Sequence, residues 1–323
     1  MSTILITGGL GFIGHHVSAQ LEASGHDVVI VDTQTDYGVI PQTELGWIMA
    51  ERKFLLATPN IYAIDVADRG GIDYVMRRHR PQTVIHLASF PRQKVVNANP
   101  QLGARTMSEG LLNLLESSAT HGLERFVYVS SSMVYGDFSD QVSEWAHCVP
   151  QGQYGILKLA GEWLVYDYHR RGCFDHCIIR PSAVYGARDV GDRVIAKFFQ
   201  QAWKNGTLVV SGRDEALDFT DVRDVAQGIV QAALSANTGN QTYNITRGES
   251  VKLLRAAGLI RDLVGRGVIK VQPRNEEYPS RGSLNIDAAR RDFGYDPQIS
   301  IEQGLENYYH WFIDTFHRST KAV

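Results

Sequence analysis

Tyr154 and Lys158 are the residues whose types and spacing most directly suggest chemistry. They stand at positions i and i+4, so on a helix their side chains lie on one face. A free tyrosine has a pKa of about 10, which makes its phenol a poor base at neutral pH. A neighbouring ammonium favours the phenolate, which can then take a proton from an alcohol. The pair therefore predicts proton transfer at a hydroxyl-bearing carbon; a surface aromatic beside a solvated amine is the alternative.

Three consecutive serines offer hydroxyls that can assist this pair. The apolar run Arg125–Ser130 is typical of a strand, and Ser131 and Ser132 follow it directly. Ligands of parallel sheets bind at the carboxyl ends of the strands, so one of these hydroxyls can hydrogen-bond the reacting oxygen beside Tyr154. An ordinary turn would have the same composition, and the serines alone do not decide between the two.

A glycine-rich turn at residues 7–14 lies between an apolar strand and a helical pattern. Gly8 permits the turn, and Gly11 lets backbone N–H groups reach a pyrophosphate at the N-terminus of the helix. Gly14 lets the helix pack closely against the strand. The order strand, turn, helix favours dinucleotide binding over an ordinary glycine-rich turn.

Asp32 closes the second predicted strand, Asp27–Asp32. An acid there accepts hydrogen bonds from the adenosine ribose and repels a 2′-phosphate. No Arg or Lys follows before Arg52, so NAD is favoured over NADP. Asp65, at the end of the third predicted strand, is a second candidate contact near the adenine. Either carboxylate can instead cap the residues that follow it.

Apolar strands alternate with helices over the first part of the chain. The predicted strands are 3–7, 27–32, 60–66, 82–87, 125–130 and 175–180, and the main helices are 12–23, 102–121 and 152–171. This alternation predicts an α/β fold with a doubly wound parallel sheet, the Rossmann arrangement. We expect an NAD-binding domain at 1–180, with returns to the sheet near 215–247. Residues 181–323 are expected to form mainly a smaller C-terminal substrate-binding lobe.

The composition narrows the class of partner. The net charge of −3 offers no basic field for a nucleic acid, so a small molecule is the expected ligand. The 3 cysteines form neither a disulfide framework nor a zinc motif, and no metal site is expected. No leader peptide is evident, and no apolar run approaches the roughly 20 residues that span a bilayer. The expected location is the cytoplasm.

With these motifs, the sequence resembles the extended short-chain dehydrogenase/reductases. The resemblance is specifically to the NAD-dependent epimerase/dehydratase family of nucleotide-sugar enzymes. The resemblance covers nearly the whole chain. It rests on the motifs at residues 7–14, 32, 65–66, 86–88, 130–136, 154–158, 180–186, 218–226, 243–245 and 287–295.

The resemblance implies roles for particular residues. Ser131, which lies three residues before Val134, would be the catalytic serine beside Tyr154 and Lys158. Helices 102–121 and 152–171 would build a homodimer, although their apolar faces would equally suit core packing. The cofactor contacts would be Gly8, Gly11, Phe12, Ile13, Asp32, Asp65, Val66, Leu87, Ala88, Ser89, Ser130, Tyr154, Lys158 and Pro181.

The residues after Ser131 bear on the reaction. Dehydratases of the family carry an Asp-Glu pair there and decarboxylases a Glu, whereas this chain has Ser132 and Met133. The resemblance therefore implies an epimerase that oxidises the 4-hydroxyl of a nucleoside-diphosphate hexose or uronic acid and returns the hydride to the other face. The alternatives are an NAD(P)-dependent keto-sugar reductase or dehydrogenase and a non-catalytic NAD-binding scaffold, although scaffolds tend to lose the Tyr/Lys pair.

Three departures from the family concern the substrate. Ala183, Leu217 and Met107 replace polar residues that commonly contact the diphosphate or sugar. Arginines elsewhere can compensate, and Arg92 with Lys94 can bind a uronate carboxylate or simply lie in a solvated loop. The candidate substrate contacts are Arg92, Ser131, Ser132, Arg188, Arg274 and Arg281, with Arg213 as a further cation.

Overall fold

The computed structural model describes residues 1–35, 38, 40–90, 93–189 and 192–321. The strands are β1 Thr3–Thr7, β2 Asp27–Val31, β3 Ile61–Tyr62, β4 Thr83–His86, β5 Arg125–Val129, β6 Asp175–Arg180, β7 Ala183–Tyr185, β8 Thr207–Ser211, β9 Ala216–Leu217, β10 Phe219–Asp221, β11 Gln241–Asn244, β12 Val251–Lys252 and β13 Val268–Gln272.

The helices alternate with the strands in the first half of the chain and dominate the second half. They are α1 Gly14–Ala23, α2 Gln42–Phe54, α3 Arg69–His79, α4 Gln93–Ala98, α5 Pro100–Ala104, α6 Gly110–Thr120, α7 Gly152–Arg170, α8 Val194–Trp203, α9 Val222–Leu234, α10 Leu253–Val264, α11 Asp287–Phe293 and α12 Ile301–Lys321. None of the described helices is both long and apolar enough to cross a bilayer.

Seven strands form one parallel sheet in the order β3-β2-β1-β4-β5-β6-β11. The predicted doubly wound sheet is thus confirmed. Strand order reverses between β1 and β4, where Thr7 is level with His86. A reversal of this kind opens a crevice at the carboxyl ends of the strands, and ligands bind there.

The sheet is covered on both faces, which explains why its strands are continuous apolar runs. One core lies between the sheet and α1, α2, α9 and α11, and the other between the sheet and α3, α6 and α7. Ile4 and Leu5 from β1 are fully buried in opposite cores, as the alternation of side chains along a strand requires.

Two predicted elements differ from the structure. The third strand was expected at 60–66, but β3 contains only Ile61–Tyr62 because it is an edge strand paired solely with Ile30 and Val31. The helix expected at 102–121 is divided into α5, a π-helical turn at Arg105–Glu109 and α6.

A third core lies outside the sheet, among α8, α10, α12 and the parallel pair of β8 and β13. Its residues come from positions 183–312, within the segment expected to form the smaller lobe. The domain boundary near residue 180 stays a prediction.

Candidate active site

A cleft of about 250 Å³ lies at the carboxyl ends of β1, β2, β4 and β5. Every residue predicted to contact the cofactor lines this cleft, and Ser131 lines it as well. Two arginines that the sequence reasoning did not select, Arg52 and Arg193, are also part of its wall.

The glycine turn leaves no space for side chains, which is what close approach of a pyrophosphate requires. Gly8 has a φ of +72°, and a Cβ there would lie 2.7 Å from the backbone nitrogen of Ala88. A Cβ on Gly14 would lie 2.0 Å from the carbonyl oxygen of Gly8, and one on Gly11 would lie 2.9 Å from the same oxygen. The turn therefore fits a dinucleotide cradle at the start of α1.

Asp32 is held in place by backbone N–H groups on both sides. Its Oδ2 accepts a hydrogen bond from Leu10 N at 2.9 Å, and its Oδ1 accepts one from Gln34 N at 2.7 Å. Burial raises the pKa of Asp32, whereas these hydrogen bonds oppose the shift. The carboxylate thus caps its own loop while lining the cleft, so the two interpretations of this residue are compatible.

Arg52 lies close to Asp32 but is occupied by backbone carbonyls. The guanidinium donates to Leu10 O at 3.1 Å through Nη1, and to Arg188 O at 2.6 Å through Nη2 and 3.2 Å through Nε. Burial lowers the pKa of Arg52 to about 10. Because its donors are directed to the glycine turn and to the loop after β7, Arg52 is not arranged as a 2′-phosphate receptor.

Tyr154 lies with its phenol among hydroxyl groups. The hydroxyls of Ser131 and Ser89 lie near the phenol and act on its pKa, and Ser131 Oγ accepts a hydrogen bond from Met133 N at 3.2 Å. Burial raises the pKa of Tyr154, while the charge of Arg193 and the two serine hydroxyls lower it. Tyr154 and Ser131 are therefore brought together as the sequence predicted.

Lys158 lies one helical turn from Tyr154 and is almost fully buried, with 3% of the residue exposed. Its ammonium donates to Val129 O at 2.7 Å and lies 6.0 Å from the centre of the Tyr154 ring. Burial lowers the pKa of Lys158 to about 7, and the charge of Glu162 opposes that shift.

Comparison with known proteins agrees with this geometry. Residues 4–246 match the model of the "NAD dependent epimerase/dehydratase family". The chain belongs to this family.

Curated proteins similar to this chain are named for several different activities. The chain is 29% identical to an uncharacterised UDP-glucose epimerase of Bacillus subtilis, with 94% of this chain and 96% of that protein covered. It is 26% identical to a dTDP-glucose 4,6-dehydratase of an Actinoplanes strain, with 96% and 97% covered.

A solved relative carries both a cofactor and a substrate. It is the UDP-glucuronic acid 4-epimerase of Bacillus cereus, in complex with UDP-glucuronic acid and NAD. Its TM-score is 0.88 at 26% identity, and 97% of this chain and 99% of that chain are covered. Family membership confirms the fold and the prediction of NAD as cofactor.

Ser132 and Met133 directly follow Ser131 in the chain. Ser132 donates through Oγ to Ser182 Oγ at 3.2 Å, and Met133 Sδ accepts from Arg281 Nη1 at 3.8 Å. Both residues are buried. Neither side chain exchanges protons near neutral pH, so these positions provide no acid or base for dehydration.

Glu162 was missed by the sequence reasoning. Its Oε1 accepts from Ser130 Oγ at 2.5 Å and from Arg180 Nε at 2.9 Å, while its Oε2 accepts from Arg180 Nη2 at 2.6 Å. A signal was available, because Tyr154, Lys158 and Glu162 follow one another at intervals of four residues on α7.

Arg193 was also missed, and no motif signals it. Its guanidinium lies 5.6 Å from the centre of the Phe12 ring, and its Nε lies 3.2 Å from Asp189 Oδ2. It therefore places a cation beside Phe12, and its charge lowers the pKa of Tyr154.

The predicted substrate arginines are not brought together. Arg274 Nε pairs with Glu215 Oε1 at 3.1 Å, and Arg188 Nε pairs with Glu51 Oε2 at 3.5 Å. Together with Arg281, they are absent from the described lining of the cleft. Arg92 lies outside the described residues.

The departures from the family have simple structural outcomes. Met107 is 3% exposed and packs with Phe90 and Val96, so that position is apolar. Among the candidate arginines that the structure describes, Arg281 has a guanidinium that contacts Met133, two residues after Ser131. Its Nε has no hydrogen-bond partner among the described residues.

Proposed function

We propose that the protein is an NAD-dependent 4-epimerase of a nucleoside-diphosphate sugar, either a hexose or a uronic acid. The observation that supports this most directly is that Tyr154 and Ser131 line the same cleft, while the two residues that follow Ser131 are Ser132 and Met133, which provide no acid–base pair. This arrangement allows proton exchange at one hydroxyl oxygen of the sugar. It provides no acid or base for a reaction at a neighbouring carbon.

The side chains of the site have different roles at the carbon that is oxidised and reduced. NAD, when bound, supplies a hydride acceptor that can return the hydride. Tyr154 takes the proton of the 4-hydroxyl and later gives it back, while Ser131 holds the same oxygen. Lys158 favours the phenolate through its charge and lies where it can hold the nicotinamide ribose.

The part of the cleft proposed to hold the adenosine of NAD is enclosed by α2, and this favours an epimerase over a reductase. Leu45, Met49 and Arg52 of α2 line the cleft, and Arg52 ties the glycine turn to the loop after β7. A cofactor that is reduced and reoxidised within one cycle benefits from such retention, whereas a reductase has to exchange it.

The sugar is proposed from chemistry and from relatives. Epimerases similar to this chain act on UDP-glucose or UDP-glucuronate. Arg281 is half-buried beside Met133, and its Nε has no hydrogen-bond partner among the described residues, so it is the proposed contact for an anionic group of the substrate. A buried guanidinium gains from such a partner because charge-assisted hydrogen bonds contribute about 1.5–3 kcal/mol.

We also propose that the protein is a homodimer through α6 and α7. The outer faces of these helices expose large side chains, namely Leu112, Ile156, Trp163 and Tyr166. Trp163 is 65% exposed, which is unusual for a residue of its size unless a partner covers it. The cytoplasmic location stays a prediction.

The test of the function begins with the cofactor. The purified protein is denatured, the released nucleotide is identified, and UDP-glucose and UDP-glucuronate are offered to the native protein without added coenzyme. We expect NAD to be released and one substrate to reach equilibrium with its 4-epimer. Consumption of added NADH or NADPH in proportion to product would instead indicate a reductase, and release of NADP would contradict the role of Asp32.

A further inference from the structure

Glu162 forms a buried charge network directly behind the catalytic pair. The carboxylate and the guanidinium of Arg180 have only 7% of each side chain exposed, and they are joined by two hydrogen bonds of 2.9 and 2.6 Å. Ser130 donates a third at 2.5 Å. A carboxylate bound in this way has one position, because each of its oxygens is fixed by a donor.

The guanidinium that holds Glu162 is itself fixed. Arg180 Nη1 donates to Tyr135 Oη at 3.0 Å and to Glu144 O at 3.2 Å. Tyr135 Oη in turn donates to Asn244 Oδ1 at 2.8 Å. The network therefore anchors the carboxylate to β6, β11 and the loop before α7.

The surroundings of Lys158 identify Glu162 as the anion that acts on it. Tyr154 and Glu162 face Lys158 from α7, Tyr128 from β5 and His86 from β4. Burial raises the pKa of Tyr128 and lowers that of His86 to about 3, so both are neutral at neutral pH. Among the described residues around this ammonium, Glu162 provides the compensating negative charge.

We propose that Glu162 is a positioning residue whose carboxylate, fixed by Arg180 and Ser130, keeps the ammonium of Lys158 charged beside Tyr154. The inference rests on the proposed function, because it concerns the same catalytic pair. It adds a third member, at i+8, to the pair at i and i+4.

The expected effect has a definite sign. A carboxylate that approaches a buried lysine to within about 4–6 Å favours the protonated form by about one pH unit or more. Without that charge, Lys158 loses its proton at a lower pH and the phenolate of Tyr154 is less favoured. The upper edge of the activity–pH profile then moves to lower pH, and removal of the Arg180 charge moves it the opposite way.

The experiment uses the whole chain with its cofactor, four test and control variants, and one further variant for NMR assignment. Glu162→Gln removes the negative charge, Arg180→Gln removes the positive charge, and the double variant removes both. Asp167→Asn is the matched control, since Asp167 lies on α7 with 61% of its side chain exposed, in a surface pair with Arg171. The double variant leaves no unpaired buried ion, so it keeps the test available where a single variant does not fold.

Two measurements are made on each variant. One is the turnover of the nucleotide sugar as a function of pH. The other is the titration of Lys158 followed by NMR of labelled lysine side chains, with Lys158→Met as the assignment control. We expect Glu162→Gln to lower the Lys158 midpoint by about one unit or more, and the double variant to lower it by less, because loss of the Arg180 charge acts in the opposite direction. Arg180→Gln is expected to raise it, and Asp167→Asn to leave it unchanged.

The outcomes separate the possible roles. A folded Glu162→Gln protein with an unchanged Lys158 midpoint would overturn the proposal, as would equal shifts in Glu162→Gln and Arg180→Gln. Those results would reduce the network to structural support. If the wild-type protein converts no nucleotide sugar, the proposed function fails, but the NMR titration still decides the role of Glu162.

Discussion

Lys158 donates its hydrogen bond to the carbonyl oxygen of Val129, at 2.7 Å, rather than to the phenol of Tyr154. The backbone of β5 thus fixes the ammonium at the end of the strand that leads into the serines. In the proposed role, its charge acts on Tyr154 across the 6.0 Å to the ring centre. A fixed charge at this distance favours the phenolate without competing for its oxygen, which stays available to Ser131 and the substrate.

Tyr154→Phe is expected to lower turnover by about 10²- to 10⁴-fold, the usual contribution of one acid–base group. The NAD content should be unchanged, because the ring that lines the cleft is retained. Tyr166→Phe on the same helix is the control, since Tyr166 is 43% exposed and far less enclosed. The measurements are turnover and cofactor released per chain. Undiminished turnover in Tyr154→Phe would contradict the assigned role.

Much of this site could be predicted because its signals are local. The glycines at 7–14 are needed within one turn, and Tyr154 and Lys158 are one helical turn apart. Parallel strands buried on both faces leave continuous apolar runs, so the sheet and its carboxyl edge followed from the pattern.

The residues that were missed depend on contacts between distant segments. Arg52 meets the carbonyl of Arg188 across 136 positions, and Glu162 meets Arg180 across 18. The contact of Arg52 leaves no periodicity, and a buried arginine looks like a surface arginine in the sequence. Glu162 continues the four-residue spacing of Tyr154 and Lys158, but its pairing with Arg180 is not visible in that spacing. The short β3 was overestimated for a related reason, because pairing with β2 alone decides where it ends.

Asp32→Asn is expected to weaken NAD binding by about tenfold or more, the effect of losing one charge-assisted hydrogen bond. NADP binding should weaken less, because the repulsion of the 2′-phosphate is also removed. Asp65→Asn is the comparison: Asp65 also lines the cleft, but its Oδ1 caps Ala67 N at 2.9 Å. Calorimetric titration of the cofactor-free protein gives both affinities. An equal loss for NAD and NADP would exclude a role in selectivity.

Two glycine-to-alanine changes should have opposite effects on stability. In Gly14→Ala the new Cβ would meet the Gly8 oxygen at 2.0 Å, so the turn must shift and we expect a loss of about 1–3 kcal/mol. In Gly258→Ala, within α10, nothing lies within 4 Å, and we expect a gain of about 0.5–1 kcal/mol. Urea unfolding followed by circular dichroism measures both. A stable Gly14→Ala protein with normal NAD content would show that the turn tolerates the shift.

Trp163→Glu should separate the proposed dimer. The change places a charge on the exposed surface of α7 and leaves the sheet core untouched. We expect the sedimentation coefficient to fall to that of a monomer, with the melting temperature affected mainly through dissociation. Phe54→Glu is the control, since Phe54 is 90% exposed at the end of α2, away from those helices. A wild-type protein that sediments as a monomer would contradict the proposed dimer.

Because of His86, the free energy of unfolding should fall in mild acid. It is fully enclosed in the sheet, hydrogen-bonded to Thr7 Oγ1 at 2.7 Å and stacked on Tyr128, and burial lowers its pKa from 6.5 to about 3. The unfolded chain therefore binds a proton at pH values where the folded chain does not. Stability from this group is complete above pH 6.5 and is lost progressively as the pH falls towards 3.

The size of this effect can be isolated with His86→Gln. Between about pH 7.5 and about pH 5.5 the histidine accounts for a loss of roughly 1.4 kcal/mol in the free energy of unfolding. The variant starts from a lower stability, because a buried hydrogen bond is disturbed, but its decline over this interval should be smaller by that amount. The other titrating groups contribute equally to both proteins and cancel in the difference. Parallel slopes in the two proteins would mean that His86 is already protonated, or already unprotonated, in both the folded and the unfolded chain.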